Sequence, residues 1–545
     1  MRKVLPAVFA LAFMATSHLC YADTATPEGA AGIKKQVEDA LAFPMDLAKT
    51  QGDGLTLSGP VEVTPKGAYY EVKMPGATVV TNYGFKFDMG TLIANVTPAS
   101  DGAALNVAVA LPQTMKAFDE TSKPIAEVKI GSQRFNGTWL PELGTFTKVD
   151  AQYGDVSINS LTPGEFTGTV ASLTSSMNLT QNADGTWSGP YGMGGSGIKF
   201  AFNKGNAADV SIGGMAAHSS YEKIDLKSRK KMQDTVAETL KKSQTTPTTP
   251  DQAGQMMTSV MSDLGGYLDG MNNALELTDV ALTMKSAPGG DPNAAHTPDF
   301  TAALAKLGLA LDVNGMLQTK GSTTVKVMME GLNVGETDPA VKGLIPSNSN
   351  FEVYVENLPM RDLGSSISSA VESFMGSLVG VGGGQVDPAK QAEIQQQAQM
   401  QLMMLMTTLP QQLVNAGTTI SVRNTYTKAP DLSSALDGQF RASAASPIMT
   451  EGSMTLTLTG VDETVLKLQS ASQSGAGANP KLAGYASGLA MVQGYTKPEK
   501  DADGRSLRKL TLTVDPSGNA TLNGQPLNAL IPGGNIPGGV PNPVP

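Results

Sequence analysis

Alternation of apolar and polar residues with a period of two, broken by frequent turn signals, is the feature that most constrains this fold. Within residues 55–215, Leu105, Val107, Val109 and Leu111 alternate with smaller or polar residues. Successive side chains of a strand point to opposite faces of a sheet, so this period indicates strands. Asp-Gly and Pro-x-Gly turn sequences recur every 8–15 residues. Many strands joined by such turns predict an antiparallel β-rich domain.

Other stretches carry the helical period of three to four residues. Residues 23–54 are predicted to form a leader followed by an N-terminal helix. Residues 216–274 are predicted to form a helical segment, with helices at 221–243 and 251–273 on either side of a Pro/Thr linker. Further helices are predicted at 361–378, 387–417, 461–471 and 480–494. Strand-like residues between them make 275–531 a second α+β domain. The Pro- and Gly-rich residues 532–545 are predicted to be disordered. The predicted fold class is α+β, with large twisted antiparallel β-sheets and several amphipathic helices packed on them.

Residues 1–22 have the layout of a secretory signal peptide. A basic start is followed by a 13-residue apolar run from Val4 to Thr16, and Cys20 and Ala22 place small residues at −3 and −1 of a cut before Asp23. The run is too short for a bilayer span, which takes roughly 20 residues. We therefore expect export to the periplasm, with secretion as the alternative. A lipoprotein signal acylated at Cys20 is a further alternative, although the residues before Cys20 fit it poorly.

Composition narrows the classes of partner and cofactor. Only 16% of the residues are charged and the net charge is −10, which argues against nucleic acid because nucleic-acid binding needs clustered Lys and Arg. The single cysteine, Cys20, leaves with the signal peptide, so no disulfide is expected in the mature chain. No later stretch reaches 18 apolar residues, and therefore no transmembrane span is expected after signal removal.

Catalytic, metal and cofactor sites are not predicted. His218 and His296 lack a second ligand at metal spacing, and no G-x-S-x-G sequence accompanies them. The Gly-rich stretch 191–197 is followed by strand-like residues, so a bulged hairpin is preferred to a phosphate loop. Residues 499–504 match a calcium loop at its first positions, but Leu510 occupies the place of the bidentate Glu, which favours an Asp-Gly turn.

Two sets of residues are candidates for binding. The first set could line an apolar groove, because methionine side chains adapt to varied apolar ligands; the alternative is an ordinary core face. Its members are Met256, Met257, Val260, Met261, Leu264, Met400, Met403, Met404 and Met406. The second set could contact an anionic lipid surface, and a solvated helix face with local ion pairs is its alternative. It consists of Lys227, Arg229, Lys230 and Lys231.

The C-terminal third resembles bacterial cell-envelope proteins of unknown function, broadly the YdgA-like and AsmA-like groups. A helix ending at Gly417 leads into a strand, the strand 452–459 leads into Gly460-Val461-Asp462, and the last strand pair ends in 518–527. The families have leucine where this chain has Val461. The resemblance covers about 130 residues of this chain and implies Gram-negative periplasm, long antiparallel sheets and lipid contact. It transfers no catalytic residue.

The resulting functional hypothesis is an exported, non-enzymatic envelope protein that acts as a scaffold or binds an apolar ligand such as lipid. One alternative is a structural or assembly factor that binds an envelope protein. Another is a hydrolase that uses carboxylates alone, for example on glycosides. Trp139 and Trp187 are the only tryptophans in the chain, which leaves little aromatic surface for stacking sugars.

Overall fold

The protein is mostly β. A computed structural model describes residues 25–51, 54–81, 84–99, 103–162, 164–203, 207–231, 234–235, 268–285, 299–335, 342–361, 363, 408–473 and 480–527. In this part of the chain about 60% of the residues lie in strands and 18% in helices. The predicted α+β class, with several helices packed on sheets, is therefore wrong.

The error arises where long strands extend into stretches that were predicted to be helical. Tyr221–Ile224 completes a strand, although a helix was predicted from Tyr221. Gly270–Asn273 begins another strand, although a helix was predicted to continue to Asn273. Over so short a distance, a few apolar residues such as Ile224 fit the helical period and the strand period equally well. These residues form a strand because the neighbouring strand β11 continues to pair with them. The rest of these two predicted helices lies largely outside the described residues, as does most of 361–407.

Two compact units divide the chain. The first contains the elements up to β13, apart from Thr278–Val280, and the second contains those from β14 onward. The described residues of the first unit include the helix α1 (Pro27–Gln51) and a 3₁₀ turn (Pro141–Leu143). Its strands are β1 (Gly54–Thr56), β2 (Glu62–Lys66), β3 (Tyr69–Val80), β4 (Lys86–Pro98), β5 (Leu105–Ala110), β6 (Thr114–Phe118), β7 (Pro124–Leu140), β8 (Thr145–Ser160), β9 (Phe166–Asn178), β10 (Thr180–Gln181), β11 (Trp187–Phe202), β12 (Ala207–Ile224) and β13 (Gly270–Lys285).

Strands of the first unit pair antiparallel in nearly sequential order. Strand β3 pairs with β4. The two short strands β5 and β6 each pair with β4 on one side and with β7 on the other. After them, β7, β8, β9, β11 and β12 pair with one another in that order. One face of this sheet packs with α1 in a continuous core that contains Ile33, Val72, Met89 and Trp139. Trp139 meets Phe146 edge to face, with ring centroids 4.7 Å apart, an arrangement that aromatic pairs favour.

Strands of the second unit repeat this antiparallel order. Its elements are β14 (Phe300–Asn314), β15 (Gly321–Glu330), β16 (Asn333–Val334), β17 (Asn348–Leu358), β18 (Thr419–Lys428), β19 (Ser433–Ala442), β20 (Thr450–Thr459), α2 (Val461–Gln473), α3 (Pro480–Tyr495), β21 (Glu499–Lys500), β22 (Ser506–Val514), β23 (Ala520–Leu522) and β24 (Gln525–Pro526). The main ladder runs β14, β15, β17, β18, β19, β20, β22 and β23. The helices α2 and α3, predicted at 461–471 and 480–494, are confirmed.

Candidate functional site

The nine residues predicted to line a Met-rich apolar groove lie outside the described residues. They are Met256, Met257, Val260, Met261, Leu264, Met400, Met403, Met404 and Met406. Their role as groove or core stays a prediction.

The four basic candidates lie on the short helical stretch 226–231 that follows β12. Its N-terminus is capped by Asp225, whose Oδ1 accepts hydrogen bonds from the backbone N–H groups of Lys227 and Ser228 at 3.0 and 3.1 Å. Arg229 donates to Thr145 Oγ1 at 3.5 Å, and Lys230 pairs with Asp234 at 2.7 Å. Lys227 and Lys231 are exposed. Two of the four cations therefore already have partners in the chain.

The remaining sequence motifs are a Gly-rich stretch, an Asp-Gly stretch and two histidines. The Gly-rich residues 191–197 lie inside β11 and pair with β9 and β12, so the strand context is confirmed but the hairpin is not. In residues 499–504, Asp501 Oδ1 accepts the N–H groups of Asp503 and Arg505 at 3.0 and 2.8 Å. Gly504 has a φ of 78°, which confirms the Asp-Gly turn. His218 lies in β12 opposite Gly192, and His296 is outside the described residues.

One face of the second unit's sheet is apolar across several strands. Directly paired residues of an antiparallel ladder share a face, and the register places Leu309 beside Val327 and Leu311 beside Val325. The Leu309–Val327 row continues to Phe351 of β17. Ile420 of β18 lies on the same face in another row, where it pairs with Val355, and its neighbour on that face, Val422, is buried. We call the following six side chains the apolar sheet face: Leu309, Leu311, Val325, Val327, Phe351 and Ile420.

The side chains of the apolar sheet face are unusually open. Each of the six is 37–44% exposed among the described residues. Isolated exposed apolar residues are common on protein surfaces, but a contiguous group on neighbouring strands indicates a place where something else binds or packs. Neighbouring strands are spaced by about 4.8 Å, so the patch spans four strands and roughly 14 Å across them.

The same face is covered at its other end by helices. Leu458 of β20 is buried against Val461 and Val465 of α2, with Leu489 and Val492 of α3 packed beside them. The connection between β20 and β22 contains both helices, and they fold back onto the strands that they join. The sheet therefore changes along its width from a packed face to an open one.

An ion pair between Arg508 of β22 and Asp462 of α2 links the helix to the strand. The Arg508 guanidinium is buried and donates from Nε and Nη2 to the two carboxylate oxygens of Asp462 at 3.1 and 2.9 Å. Its Nη1 donates to the Thr496 carbonyl at 2.9 Å. The hydrogen bond from Arg508 lowers the pKa of Asp462. Next to it, the Glu463 carboxylate accepts hydrogen bonds from Ser506, which lower the pKa of Glu463.

The opposite face of the sheet carries a polar cluster on β17 and β18. Tyr354 donates from its hydroxyl to Glu352 Oε2 at 2.6 Å, and Asn350 and Asn424 donate to the same carboxylate at 3.1 and 3.3 Å. Desolvation raises the pKa of Glu352, but these three hydrogen bonds outweigh it and the pKa is lowered. The hydrogen bond to Glu352 raises the pKa of Tyr354, and Arg423 lies over its ring at 5.2 Å.

A cavity of about 270 Å³ lies in the first unit, between β9, β11, β12 and β13. Its lining mixes Thr167, Thr169 and Lys199 with the ring of Phe200. Asp209, which also lines it, stands 3.9 Å from Lys285. The volume is just below the range of roughly 300–1,000 Å³ that ligand pockets usually occupy, so the apolar sheet face is the stronger candidate site.

Three further findings bear on function. No group of three or more His, Cys, Asp or Glu side chains that could hold a metal ion is found within the described ranges. In that same part of the chain, no helix has both the length and the apolar character needed to cross a membrane. Comparisons with known protein families, with curated proteins and with solved structures find no match to this chain.

The apolar sheet face was only partly foreseeable from sequence. Its strands were predicted at 307–317, 323–334, 351–358 and 418–427, close to the observed β14, β15, β17 and β18. The alternation of Leu307, Leu309, Leu311 and Val313 is the signal that one side of β14 is apolar. Exposure of that side depends on what covers it, and strand periodicity carries no information on that.

Proposed function

We propose that this protein is an exported, non-enzymatic envelope protein that binds the acyl chains of a lipid on its apolar sheet face. The observation that supports this proposal is the group of half-open Leu, Val, Phe and Ile side chains that share one face of β14, β15, β17 and β18. An acyl chain has no hydrogen-bonding groups, so a face built from aliphatic side chains and one phenyl ring suits it. The resemblance to envelope proteins of the YdgA-like and AsmA-like groups points in the same direction.

The strength of such binding can be bounded. Full burial of one Val, Leu, Ile or Phe side chain is worth about 1.5–3 kcal/mol. Covering the remaining two fifths of six such side chains therefore yields about 4–7 kcal/mol, before the cost of association is subtracted. With that cost left out, the range corresponds to dissociation constants from about millimolar to about ten micromolar, so these side chains alone bind no more tightly than that. The proposal thus predicts a carrier or scaffold that exchanges its lipid, rather than one that holds it permanently.

Export is the second part of the proposal. It is supported by the basic start, the apolar run from Val4 to Thr16 and the small residues before Asp23. Expression of the full chain in a Gram-negative host, followed by fractionation and N-terminal sequencing, tests it. The expected result is a periplasmic protein that begins at Asp23. A cytoplasmic protein that retains residues 1–22 would contradict this part, and an acylated Cys20 would favour a lipoprotein.

The lipid part is tested by replacing two valines of the face. Val325→Thr with Val327→Thr keeps side-chain shape and strand preference but puts hydroxyl groups on the surface, and burying an unpaired hydroxyl costs about 1–3 kcal/mol. We expect the affinity for a fluorescent sixteen-carbon fatty acid to fall at least tenfold, and co-purifying lipid measured by mass spectrometry to fall with it. Ile448→Thr is the matched control, because Ile448 is 41% exposed but lies outside the face.

Two results would contradict the lipid proposal. One is wild-type protein that neither carries lipid nor binds the fluorescent fatty acid. The other is a double variant that unfolds several degrees lower than the Ile448→Thr control while fatty-acid binding is unchanged, because that pattern identifies the face as part of a core.

A reproducible protein captured by cross-linking at Val325 in cells would instead favour the assembly-factor alternative. Turnover of a glycoside by the pure protein would favour the carboxylate hydrolase.

A further inference from the structure

The outer face of α3 is apolar and open to solvent. Apart from Lys481, no residue of Pro480–Tyr495 carries a charge. The inner face packs on α2 through Leu482 and Ala486, which are buried. On the outer face, Tyr485 and Met491 are 61% and 62% exposed. A helix that is apolar on all sides is normally buried on all sides, so this face lacks the cover that its sequence indicates.

Two glycines leave part of the outer face without side chains. Gly484, Gly488, Met491 and Tyr495 follow one another at spacings of four, three and four residues, which puts them on one line along the helix. A Cβ atom added at Gly484 or Gly488 would meet no atom of the described residues within 4 Å. Each glycine costs a helix about 1 kcal/mol relative to alanine, and packing within the described chain does not account for that cost. These two positions, next to Met491 and Tyr495 on the helix surface, allow another chain to approach closely.

We propose that the outer face of α3 is the docking site for the C-terminal segment of this same chain, residues 528–545. The described chain ends close to the site, because Asn523 Nδ2 donates to the Tyr495 carbonyl at 2.8 Å. Eighteen residues remain after Leu527. In a polyproline conformation they extend by about 3.1 Å per residue, or about 56 Å. The helix α3 is only about 24 Å long, at 1.5 Å per residue, so the segment can cover its full length.

The chemistry of the segment suits this face. Residues 528–545 contain no charged side chain, and an apolar residue precedes proline four times, in Ile531-Pro532, Ile536-Pro537, Val540-Pro541 and Val544-Pro545. Proline-rich segments bind grooves lined by aromatic side chains, because the ring restricts the backbone in advance and less entropy is lost on docking. Tyr485 and Tyr495 supply the aromatic side chains here. Residues 532–545 were predicted to be disordered because they cannot form a core, but docking needs only a surface that is already folded.

Disulfide trapping in the full chain tests the docking. One variant carries Gly488→Cys and Val540→Cys, and its control carries Gln469→Cys, at an exposed position on α2, with the same Val540→Cys. Cys20 is replaced by Ser in both variants so that no other thiol is present. In a glutathione redox buffer at micromolar protein concentration, the intramolecular disulfide fraction gives the effective concentration of each cysteine pair. We expect the value at position 488 to be at least tenfold higher than the value at position 469.

Equal effective concentrations at the two positions would overturn the proposal, because a freely moving tail reaches both. Gly488→Cys alone, without the tail cysteine, identifies the competing occupants. A disulfide-linked dimer that forms at low concentration would show that a second copy covers the face. Protection of that thiol from alkylation only after anionic phospholipid vesicles are added would show a membrane contact. Either result would also overturn docking of residues 528–545. All variants retain the apolar sheet face, so failure here leaves the proposed function untouched.

Discussion

Replacing Arg508 with methionine should destabilise the attachment of α2 to β22. The Arg508 guanidinium is buried and donates to both oxygens of Asp462 and to the Thr496 carbonyl. Methionine fills much of the same space but donates no hydrogen bond. The Asp462 carboxylate then retains the hydrogen bond from Gln493 Nε2 at 2.8 Å and loses its counter-charge.

The expected cost can be worked from this geometry. Breaking a buried ion pair by removing one partner costs about 3–5 kcal/mol. The Asp462 side chain is 31% exposed and keeps one donor, so solvent and Gln493 offset part of that cost. We expect a loss of about 2–3 kcal/mol, which corresponds to a decrease in melting temperature of roughly 4–12 °C for a unit of this size. Amide protection in α2 should fall by a factor of about 30–150.

Hydrogen exchange measured by mass spectrometry is the suitable assay, because both tryptophans, Trp139 and Trp187, lie in the first unit and their emission does not report on α2. Lys509→Met is the matched control. It removes the neighbouring cation of the same strand, whose ion pair with Glu499 is about half exposed, and exposed pairs contribute about 1 kcal/mol or less. An Arg508→Met variant that exchanges no faster than Lys509→Met would refute the argument.

The pH dependence provides a second check on the same pair. Arg508 lowers the pKa of Asp462 in the folded protein, and an unfolded aspartate titrates near 3.9. The ion pair therefore contributes fully above about pH 4 and is lost as the pH falls through the lowered folded pKa. Wild-type protein loses this contribution in acid, whereas Arg508→Met has none to lose. The stability difference between them should shrink below about pH 4, and a constant difference would contradict the assignment.

Three other substitutions test the fold itself. Gly438→Ala should lower stability by about 2–4 kcal/mol, measured as the urea midpoint, because Gly438 has a φ of 145° and an added Cβ would lie 2.3 Å from the Ser453 carbonyl oxygen; a neutral result would place the β19–β20 register in error. Leu468→Ala should cost about 2–5 kcal/mol and accelerate exchange in α3, since Leu468 is buried in the contact between the two helices. Trp139→Ala should cost about 3–5 kcal/mol, observed through the remaining Trp187, and a loss below 1 kcal/mol would show that Trp139 is not central to the first unit's core.

The antiparallel strands and several turns could be predicted from sequence, but the fold class could not. The Asp515 to Asn519 hairpin turn is confirmed, with Gly518 at a φ of 82° and its N–H donating to the Asp515 carbonyl. By contrast, Met74-Pro75-Gly76 has the composition of a turn but forms a bulge within β3, where the register with β4 shifts. Glycine and proline can interrupt the ladder without ending the strand. Counting them as strand ends therefore divides one long strand such as β3 into two short ones.

The candidate site was harder to predict than the strands that carry it. Methionines at helical spacing indicated a groove at Met256 and Met400, and neither lies among the described residues. The side chains that the structure leaves open are ordinary apolar residues of four strands. Nothing in the sequence of β14 distinguishes Leu309 from a core leucine, because the period of two reports which residues share a face and not whether that face is covered.

In the second unit, the length of the connection between two strands decides whether a helix can cover the apolar side chains of those strands. Leu309 and Leu458 lie on the same face of one sheet, yet they are 40% and 9% exposed. The connection that follows Leu458 is long enough to hold α2 and α3, which return to pack on β20 and β22. The connection between β14 and β15 is only residues 315–320, too short to place a helix over the strands that it joins. Within the described residues this uncharged face has no local cover, so it must be covered by another part of the chain or by a ligand, or must expose its apolar area to water. The Val325→Thr, Val327→Thr variant distinguishes the first two of these outcomes, because loss of stability identifies a chain segment and loss of fatty-acid binding identifies a lipid.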